Sequence, residues 1–417
     1  MFDGFENREE LDYYYPTSVL VTGWDIIFLW VARMIMAGYE WEGKKPFSDV
    51  YFTGMVRDKQ RRKMSKSLGN SPDALALIDE YGADAVRYGM LSCSPAGGDL
   101  LFDIKLVENG RNFCNKIWNA TRLIKSWKTD ASIETPDENL LAMKWIDNKL
   151  QSCLEALSGN YLQYRISDCL MNLYSFIWND IFSWYLEIIK PEYGQAIDLE
   201  SRNHAIGIFR QFCILLHPFM PFITEEVYQS INEEGEGAGF CANAEYPKAN
   251  SNYDKKLLND FVLAQDIISN VRDTRNKNQL KPKEECDLYY VANDEINSAL
   301  SQQGYASLIK KMSFVKQLKA TDKSDEQEGF VFISGKTKFF ALFDIEVDAE
   351  EELKKATEEL GYQQGFVASV SKKLSNERFV NNAPETVVEK ERKKLADGQA
   401  RIEALQSRID QLKKMLD

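Results

Sequence analysis

With 417 residues, 44% hydrophobic and 12% aromatic, the chain has the apolar content for roughly two to four domains with substantial cores, which excludes a disordered protein. A formal charge of −13 excludes a protein that coats nucleic acid over most of its surface, while leaving room for local basic stripes. The seven scattered cysteines form no C-x-x-C pair and the only histidines are His204 and His217, so we expect no metal site, reduced thiols, no membrane span and a cytoplasmic location.

Residues 1–16 open on Phe2-Asp3-Gly4-Phe5 and run through a polar, acidic stretch to Tyr13-Tyr14-Tyr15-Pro16, an abrupt start for an α/β domain. Residues 18–22 read as a short buried strand stopped by Gly23. Residues 26–37 read as a helix opened by Asp25. Its Phe28, Trp30, Val31 and Met34 cannot share one side, which predicts burial on several faces. The end of a strand in a parallel sheet is where ligands bind, and Asp25 there could accept from an ammonium or from ribose hydroxyls. The pattern by itself is weak, because an N-cap role for Asp25 and a core role for Trp30 explain it equally simply.

A second strand over residues 49–54 delivers the chain into Arg57-Asp58-Lys59-Gln60-Arg61-Arg62-Lys63-Met64-Ser65-Lys66-Ser67-Leu68-Gly69-Asn70, where one carboxylate stands among many cations. Lys63 and Lys66 are flexible point charges suited to negative charge that moves during a reaction. Ser65 and Ser67 add hydroxyl donors, and Gly69 permits unusual backbone angles. The composition is that of a mobile loop closing over polyphosphate; the plainer alternative is a solvated basic turn. Helices follow over 74–81, started by Ser71-Pro72-Asp73, and over 83–92, before a break at Pro95-Ala96-Gly97-Gly98-Asp99 marks a joint near 95–105.

From residue 104 to 234 the pattern is helical, with segments 104–127, 140–158, 160–189, 200–216 and 218–232 separated at Thr135-Pro136, Gly159 and Pro191, so a helical bundle is predicted. Its first helix carries Arg111, Asn112, Asn115, Lys116, Trp118, Asn119 and Arg122, a basic and amide-bearing face that suits either nucleic acid or a seam between domains. His217, in the corner His217-Pro218-Phe219-Met220-Pro221, is expected to pack in the core. A glycine-rich turn at 235–239 and an amphipathic helix over 253–275 come next. Strands over 287–292, 314–319, 329–334 and 338–344, with a helix over 294–312 and an acidic loop at 322–328, then form a small α+β subdomain.

In the tail, Leu353, Leu360, Val367 and Leu374 recur every seven residues, as do Val388, Leu395, Ile402, Ile409 and Leu416, with Leu405 and Leu412 filling the second seam position. Two helices of about 27 residues, each about 40 Å long, should fold back as an antiparallel coiled-coil hairpin. Lys372, Lys373, Arg378, Lys390, Arg392 and Lys393 make its turn and second helix basic. Such charges either stabilise the hairpin or contact a polyanion.

Lys63-Met64-Ser65-Lys66-Ser67 followed by Leu68-Gly69-Asn70 resembles the KMSKS signature of class I aminoacyl-tRNA synthetases. Thr53-Gly54-Met55-Val56-Arg57-Asp58, residues 21–34, residues 216–226 and the heptad tail resemble the valyl family in particular. The resemblance covers most of the chain. It implies a mainly α protein with a partial Rossmann-type α/β catalytic piece over 1–100, an anticodon-binding helical bundle over 101–280, a small α+β subdomain over 281–346 and a coiled-coil tRNA-binding arm over 347–417.

By the same resemblance Lys63 and Lys66 are catalytic, Lys66, Ser65, Ser67 and Gly69 bind ATP, and Gly23, Asp25, Ile26 and Trp30 line an aminoacyl-adenylate pocket. Arg111, Asn115, Lys116, Asn119 and Arg122 on the bundle, with Lys372, Lys373, Arg378, Lys390, Arg392 and Lys393 on the arm, would contact tRNA(Val). The full-length enzyme would use valine and ATP with Mg2+, act as a monomer and touch no membrane. Members of the class also carry an HxGH-type signature whose two histidines bind ATP, and this sequence has no such pair. We therefore expect a truncated chain without the first half of the nucleotide-binding fold or an editing domain, its Met1 supplied by expression, holding no cofactor and inactive alone. The alternatives are an isoleucyl relative, many of which end in a cysteine-rich metal domain, and a non-catalytic RNA-binding or scaffold protein, which has no reason to keep an intact KMSKS.

Overall fold

The computed structural model describes residues 8–94, 98–232, 239–250, 253–322, 329–343 and 349–375, with separate helical positions between 391 and 409; of Lys66 it describes the backbone alone. The chain divides into two compact units, Met1–Leu342 and Phe343–Asp417. It is mostly helical with little sheet.

In the first unit, α1 (Arg8–Tyr14) leads into β1 (Thr17–Gly23), which pairs in parallel with β2 (Phe47–Thr53). Gly23 lies opposite Thr53, so both strands finish at the same end. Between them the chain takes a 3-10 turn at Trp24–Ile26, a π-helical turn at Ile27–Val31 and then α2 (Ala32–Glu42). The sequence predicted burial on several faces here. Instead, Phe28 is 82% exposed, Leu29 64% and Trp30 53%. A sheet of two strands offers too little area to cover more than one side of this segment, and Val31 and Gly38 are its buried residues.

β3 (Val56–Arg57) pairs in parallel with β4 (Leu100–Leu101), and α3 (Ala74–Tyr81) and α4 (Ala83–Ser92) run over the predicted residues. Asp73 caps α3 by accepting from the Leu75 amide at 2.9 Å, as its place before the first helical residue requires. α5 (Ile104–Ser126) is capped the same way by Asp103. It buries Val107, Gly110, Phe113, Ile117 and Ile124, a stripe at three- and four-residue spacing.

α6 (Asp137–Leu162) continues through Gly159, where the sequence predicted a break; its packing outweighs the roughly 1 kcal/mol that a helical glycine costs. The break falls at residues 163–165, where Tyr164 takes a left-handed φ of 54°. Beyond it come α7 (Ile166–Ser175), a π-helical stretch over Phe176–Tyr185, α8 (Leu186–Ile189), α9 (Leu199–Leu216) and α10 (Pro221–Ile231).

α11 (Lys255–Lys277) closes the bundle by stacking Phe261 on Trp145, ring centroids 4.1 Å apart. β5 (Cys286–Val291), α12 (Asp294–Leu300), α13 (Tyr305–Ser313), β6 (Val315–Thr321), β7 (Phe330–Ser334) and β8 (Thr337–Phe343) complete the set, with sheet order β6-β5-β8-β7. The single helix predicted over 294–312 is split. Gly304 has φ +85°, and a Cβ there would lie 2.2 Å from the Asp137 carbonyl oxygen, so the chain must turn on a residue without a side chain. Most of the predicted acidic loop (323–328) and of the glycine-rich turn (235–238) lies outside the described residues.

In the second unit α14 spans Ala349–Leu374. Leu353 and Leu360 pack against Ile409, a Cβ on Gly398 would lie 2.7 Å from Val367 Cγ2, and Lys373 pairs with Glu391 at 3.3 Å. Val388, Leu412, Leu416, Arg378, Lys390 and Lys393 lie outside the described residues.

Trp145 is fully buried, and its indole N–H meets no acceptor among the described residues. Trp145→Ala should therefore cost about 3–5 kcal/mol in urea unfolding. Trp145→Phe should cost much less, because it keeps a ring on Phe261 and removes an unpaired donor.

Candidate functional site

The basic loop is built on one carboxylate. Asp58, at the end of β3, accepts from the Gln60 amide at 3.0 Å, the Arg62 amide at 2.9 Å, Arg62 Nε at 2.8 Å and Asn70 Nδ2 at 3.0 Å. Asn70 reaches back across the loop: its Oδ1 accepts from the Ser65 amide at 3.0 Å and its Nδ2 donates to the Lys63 carbonyl at 3.3 Å. Asp58 and Asn70 thus clamp the two ends of the signature together. Hydrogen bonds from Asn70 above all, with those from Arg62, hold the Asp58 carboxyl down at about 2 despite its desolvation.

The middle of the loop is ordered by small residues. Ser65 Oγ and Ser67 Oγ share a hydrogen bond at 3.1 Å, and the Leu68 amide donates to the Ser65 carbonyl at 3.2 Å and to its hydroxyl at 3.3 Å. Met64 inserts into the cluster of Ala85, Phe102 and Val107, anchoring the signature to α4 and α5. At the root, Asp99 accepts from the Met55 amide at 3.0 Å and from Arg57 Nε, and Lys59 pairs with Asp103 at 3.0 Å. The Arg57 hydrogen bond, followed by the Met55 amide, lowers the Asp99 carboxyl. A Cβ on Gly54 would stand 1.8 Å from the Gly98 carbonyl oxygen, so this close approach depends on glycine. The loop read from its sequence as mobile is braced by hydrogen bonds along its backbone, while the Lys63 side chain is 62% exposed.

Lys63 Nζ lies 4.0 Å from Asp25 Oδ2, which brings the loop to the carboxyl ends of β1 and β2. Asp25 is not an N-cap: Gly23 occupies that position before the 3-10 turn and Ile26 before the π-helical turn, and Asp25 lies within the first turn. Ile26 and Trp30 lie on the same segment with exposed side chains. The Lys66 side chain is outside what is described. Asp58, Asn70 and Asp99 were missed as site residues, though Asp58 was visible as the lone carboxylate among cations.

Three family models match consecutive stretches: tRNA synthetases class I (I, L, M and V) over residues 2–103, the anticodon-binding domain of tRNA ligase over 143–290, and the valyl tRNA synthetase tRNA binding arm over 348–413. The valine–tRNA ligase of Bacteroides fragilis is 45% identical over 417 residues, covering 99% of this chain and 46% of its own length. That of Christiangramia forsetii is 46% identical over 408 residues, covering 98% and 45%. The chain belongs to the valine–tRNA ligase family. It spans about half the length of these relatives, 45–46%. A solved Mycobacterium tuberculosis methionyl-tRNA synthetase bound by methionyl-adenylate is 20% identical, with a TM-score of 0.44, covering 61% of this chain and 51% of that one.

The second family surface predicted from sequence, on α5, separates into two parts. Asn112, Asn115, Lys116 and Asn119 line a cleft of about 390 Å3 against Phe182 and Leu186. Lys116 Nζ sits 4.2 Å over the Trp178 ring. Arg111 points elsewhere, donating to the Glu80 carbonyl at 2.9 Å beside Tyr81, so it belongs to a seam with α3. Arg122 is exposed on the same helix outside the cleft lining. On α14, Lys372 and Lys373 are exposed, and Arg392 is exposed beyond it.

Asn70→Ala should loosen both ends of the loop and raise the Asp58 carboxyl toward its ordinary value. Because the folded Asp58 value of about 2 lies below the unfolded value near about 4, its contribution to loop stability is complete above that pH and is lost as pH falls through about 2. An NMR titration of Asp58 should give a midpoint near 2 in the parent and a higher one in the variant. Trypsin should cut the variant faster after Lys63.

Proposed function

We propose that this chain supplies the ATP-binding loop, anticodon-binding bundle and tRNA-binding arm of a valine–tRNA ligase. The observation that carries this reading is the Asp25–Lys63 approach, which sets a KMSKS loop against the open ends of two parallel strands. In the full-length enzyme the valine carboxylate attacks the α-phosphate of ATP, bound with Mg2+, and pyrophosphate leaves. The terminal ribose of tRNA(Val) then accepts the valyl group. Such transfers depend on positioning and on stabilising charge as it develops. Lys66 holds the triphosphate in the transition state, Lys63 assists, and Ser65, Ser67 and Gly69 shape the loop. Asp25, with Gly23, Ile26 and Trp30, lines the adenylate pocket. The exposed apolar face around Phe28, Leu29 and Trp30 is the surface on which the remainder of the catalytic fold packs, since patches of this kind mark interfaces.

Residues 1–100 form the catalytic piece, 101–280 the anticodon-binding bundle, 281–346 the α+β subdomain and 347–417 the arm. The arm runs as an antiparallel coiled-coil hairpin, a reading supported by the pairings of Leu353 with Ile409, Val367 with Gly398 and Lys373 with Glu391, in which one position rises as the other falls. Asn115, Lys116, Asn119 and Arg122 on α5, with Lys372, Lys373 and Arg392 on the arm, contact tRNA. Arg111 is the weakest member of that set, because its guanidinium already serves the α3 seam.

Filter binding of purified tRNA species tests the reading. The chain should prefer the valine isoacceptors, with affinity falling as salt rises, and Lys116→Ala should weaken binding and reduce the salt slope by about 1. Equal binding of all tRNAs would refute it. The sequence holds no HxGH pair, so the chain alone should show no valine-dependent ATP–pyrophosphate exchange.

A further inference from the structure

Three donor-bearing side chains with no part in the loop converge where α9 ends, α10 begins and the Cys241–Asn243 turn returns to the bundle. A ring nitrogen of His217, a carboxylate oxygen of Glu225 and the Sγ of Cys241 all lie within 4.8 Å of one another. Cys241 is buried, and the other two are half-buried. Their separations in sequence gave no hint of this, because the turn that carries Cys241 reaches the corner only after the chain has passed the end of α10.

Hydrogen bonds orient two of the donors. The Thr224 hydroxyl donates to the Met220 carbonyl at 2.8 Å; in the tautomer that matches this, its oxygen accepts the proton of His217 Nδ1, also at 2.8 Å, and the Nε2 lone pair is free. Metal-bound imidazoles are oriented by the same kind of hydrogen bond from the opposite nitrogen. Glu225 Oε1 accepts from the Cys241 amide at 3.1 Å and from Gln229 Nε2 at 2.8 Å, while Oε2 accepts from the Ala242 amide at 3.3 Å. A carboxylate offers about four acceptor positions, so with these three bonds made one position, on Oε2, is left for an ion.

We propose that His217, Glu225 and Cys241 form a Zn2+ site that fastens the α9–α10 corner to the turn at residues 241–243. One nitrogen, one oxygen and one sulfur suit a borderline-soft tetrahedral ion, whose fourth position is taken by water. Bonds of about 2.0–2.3 Å place tetrahedral donors about 3.3–3.8 Å apart, so from separations within 4.8 Å closing on the ion requires contraction of at most about 1–1.5 Å. The ion replaces the thiol proton of Cys241, which passes to solvent. Without the ion, burial and then the Glu225 charge push this thiol up to about 12, so it stays protonated and inert at neutral pH.

Cobalt reports such a site directly. The full chain, freed of metal by a chelator and titrated with Co2+, should develop tetrahedral visible bands and a thiolate-to-cobalt charge-transfer band. Both should saturate at one equivalent, with one proton released, and Zn2+ should abolish them. Cys241→Ser should lose the charge-transfer band, His217→Gln should bind about tenfold or more weakly, and Cys93→Ser, which alters a thiol outside the cluster, should keep the band. No charge-transfer band in the parent, or a band that survives in Cys241→Ser, would overturn the site. If Cys241→Ser fails to fold, His217→Gln decides alone, and unchanged affinity there would also overturn it.

Discussion

The first unit depends on the grip of α4 on the corner between α9 and α10. The buried Asp84 carboxylate accepts from the Phe222 amide at 3.3 Å and the Ile223 amide at 2.6 Å, at the exposed donors of the α10 N-terminus. One turn on, Arg87 donates to the Phe219 carbonyl at 2.9 Å and the Pro218 carbonyl at 2.8 Å. Burial pushes the Asp84 carboxyl up, and the two amides and Arg87 oppose that push. Charge-assisted bonds of this kind are roughly twice as strong as neutral ones. Here they join two family segments that are far apart in sequence.

The loop inherits its position from that grip. α4 approaches α5 closely: a Cβ on Gly110 would lie 2.7 Å from the Ala85 carbonyl oxygen, and one on Gly89 would lie 2.8 Å from Val107 Cγ2. Met64 packs into the cluster that these helices share. A hydrophobic residue in the middle of a charged signature therefore has a plain physical task, which is to seat the backbone. Asp58 and Asn70 then close the ends. A lysine side chain carries about 2 kcal/mol of rotamer entropy. On the proposed function, with the backbone already braced, binding a polyphosphate would restrict only the side chains, which keeps the ordering cost small.

Local rules were readable where local physics decides. The bounds of α3 and α4 followed from Asp73, Gly82 and the apolar spacing, and the family followed from a contiguous signature. Gly159 and Gly304 look alike in sequence, yet one lies within a helix and the other divides two. The difference is that Gly304 must pass the Asp137 carbonyl, a contact from a distant helix. Arg111 and Asn115 share a helical face on paper, but Glu80 and Tyr81 draw one of them into a seam. The Asp58–Asn70 clamp was hidden for a different reason: hydrogen bonds across a loop leave no periodicity, only a lone carboxylate and an amide.

The apolar residues after Asp25 show how the same local sequence changes meaning with its surroundings. A helix apolar on all sides is suited to burial on all sides, yet here Phe28, Leu29 and Trp30 face outward beside the candidate site. The Asp25–Lys63 pair shares that exposure, with side chains 37% and 62% accessible. An ion pair so placed is worth about 0–1 kcal/mol, because water screens it. Covering the apolar face would remove that water, lower the local dielectric and strengthen every charge interaction in the corner. On the proposed function, the apolar face and the charged loop are one device: the backbone brace sets where the charges stand, and burial of the neighbouring aromatics sets how strongly they act.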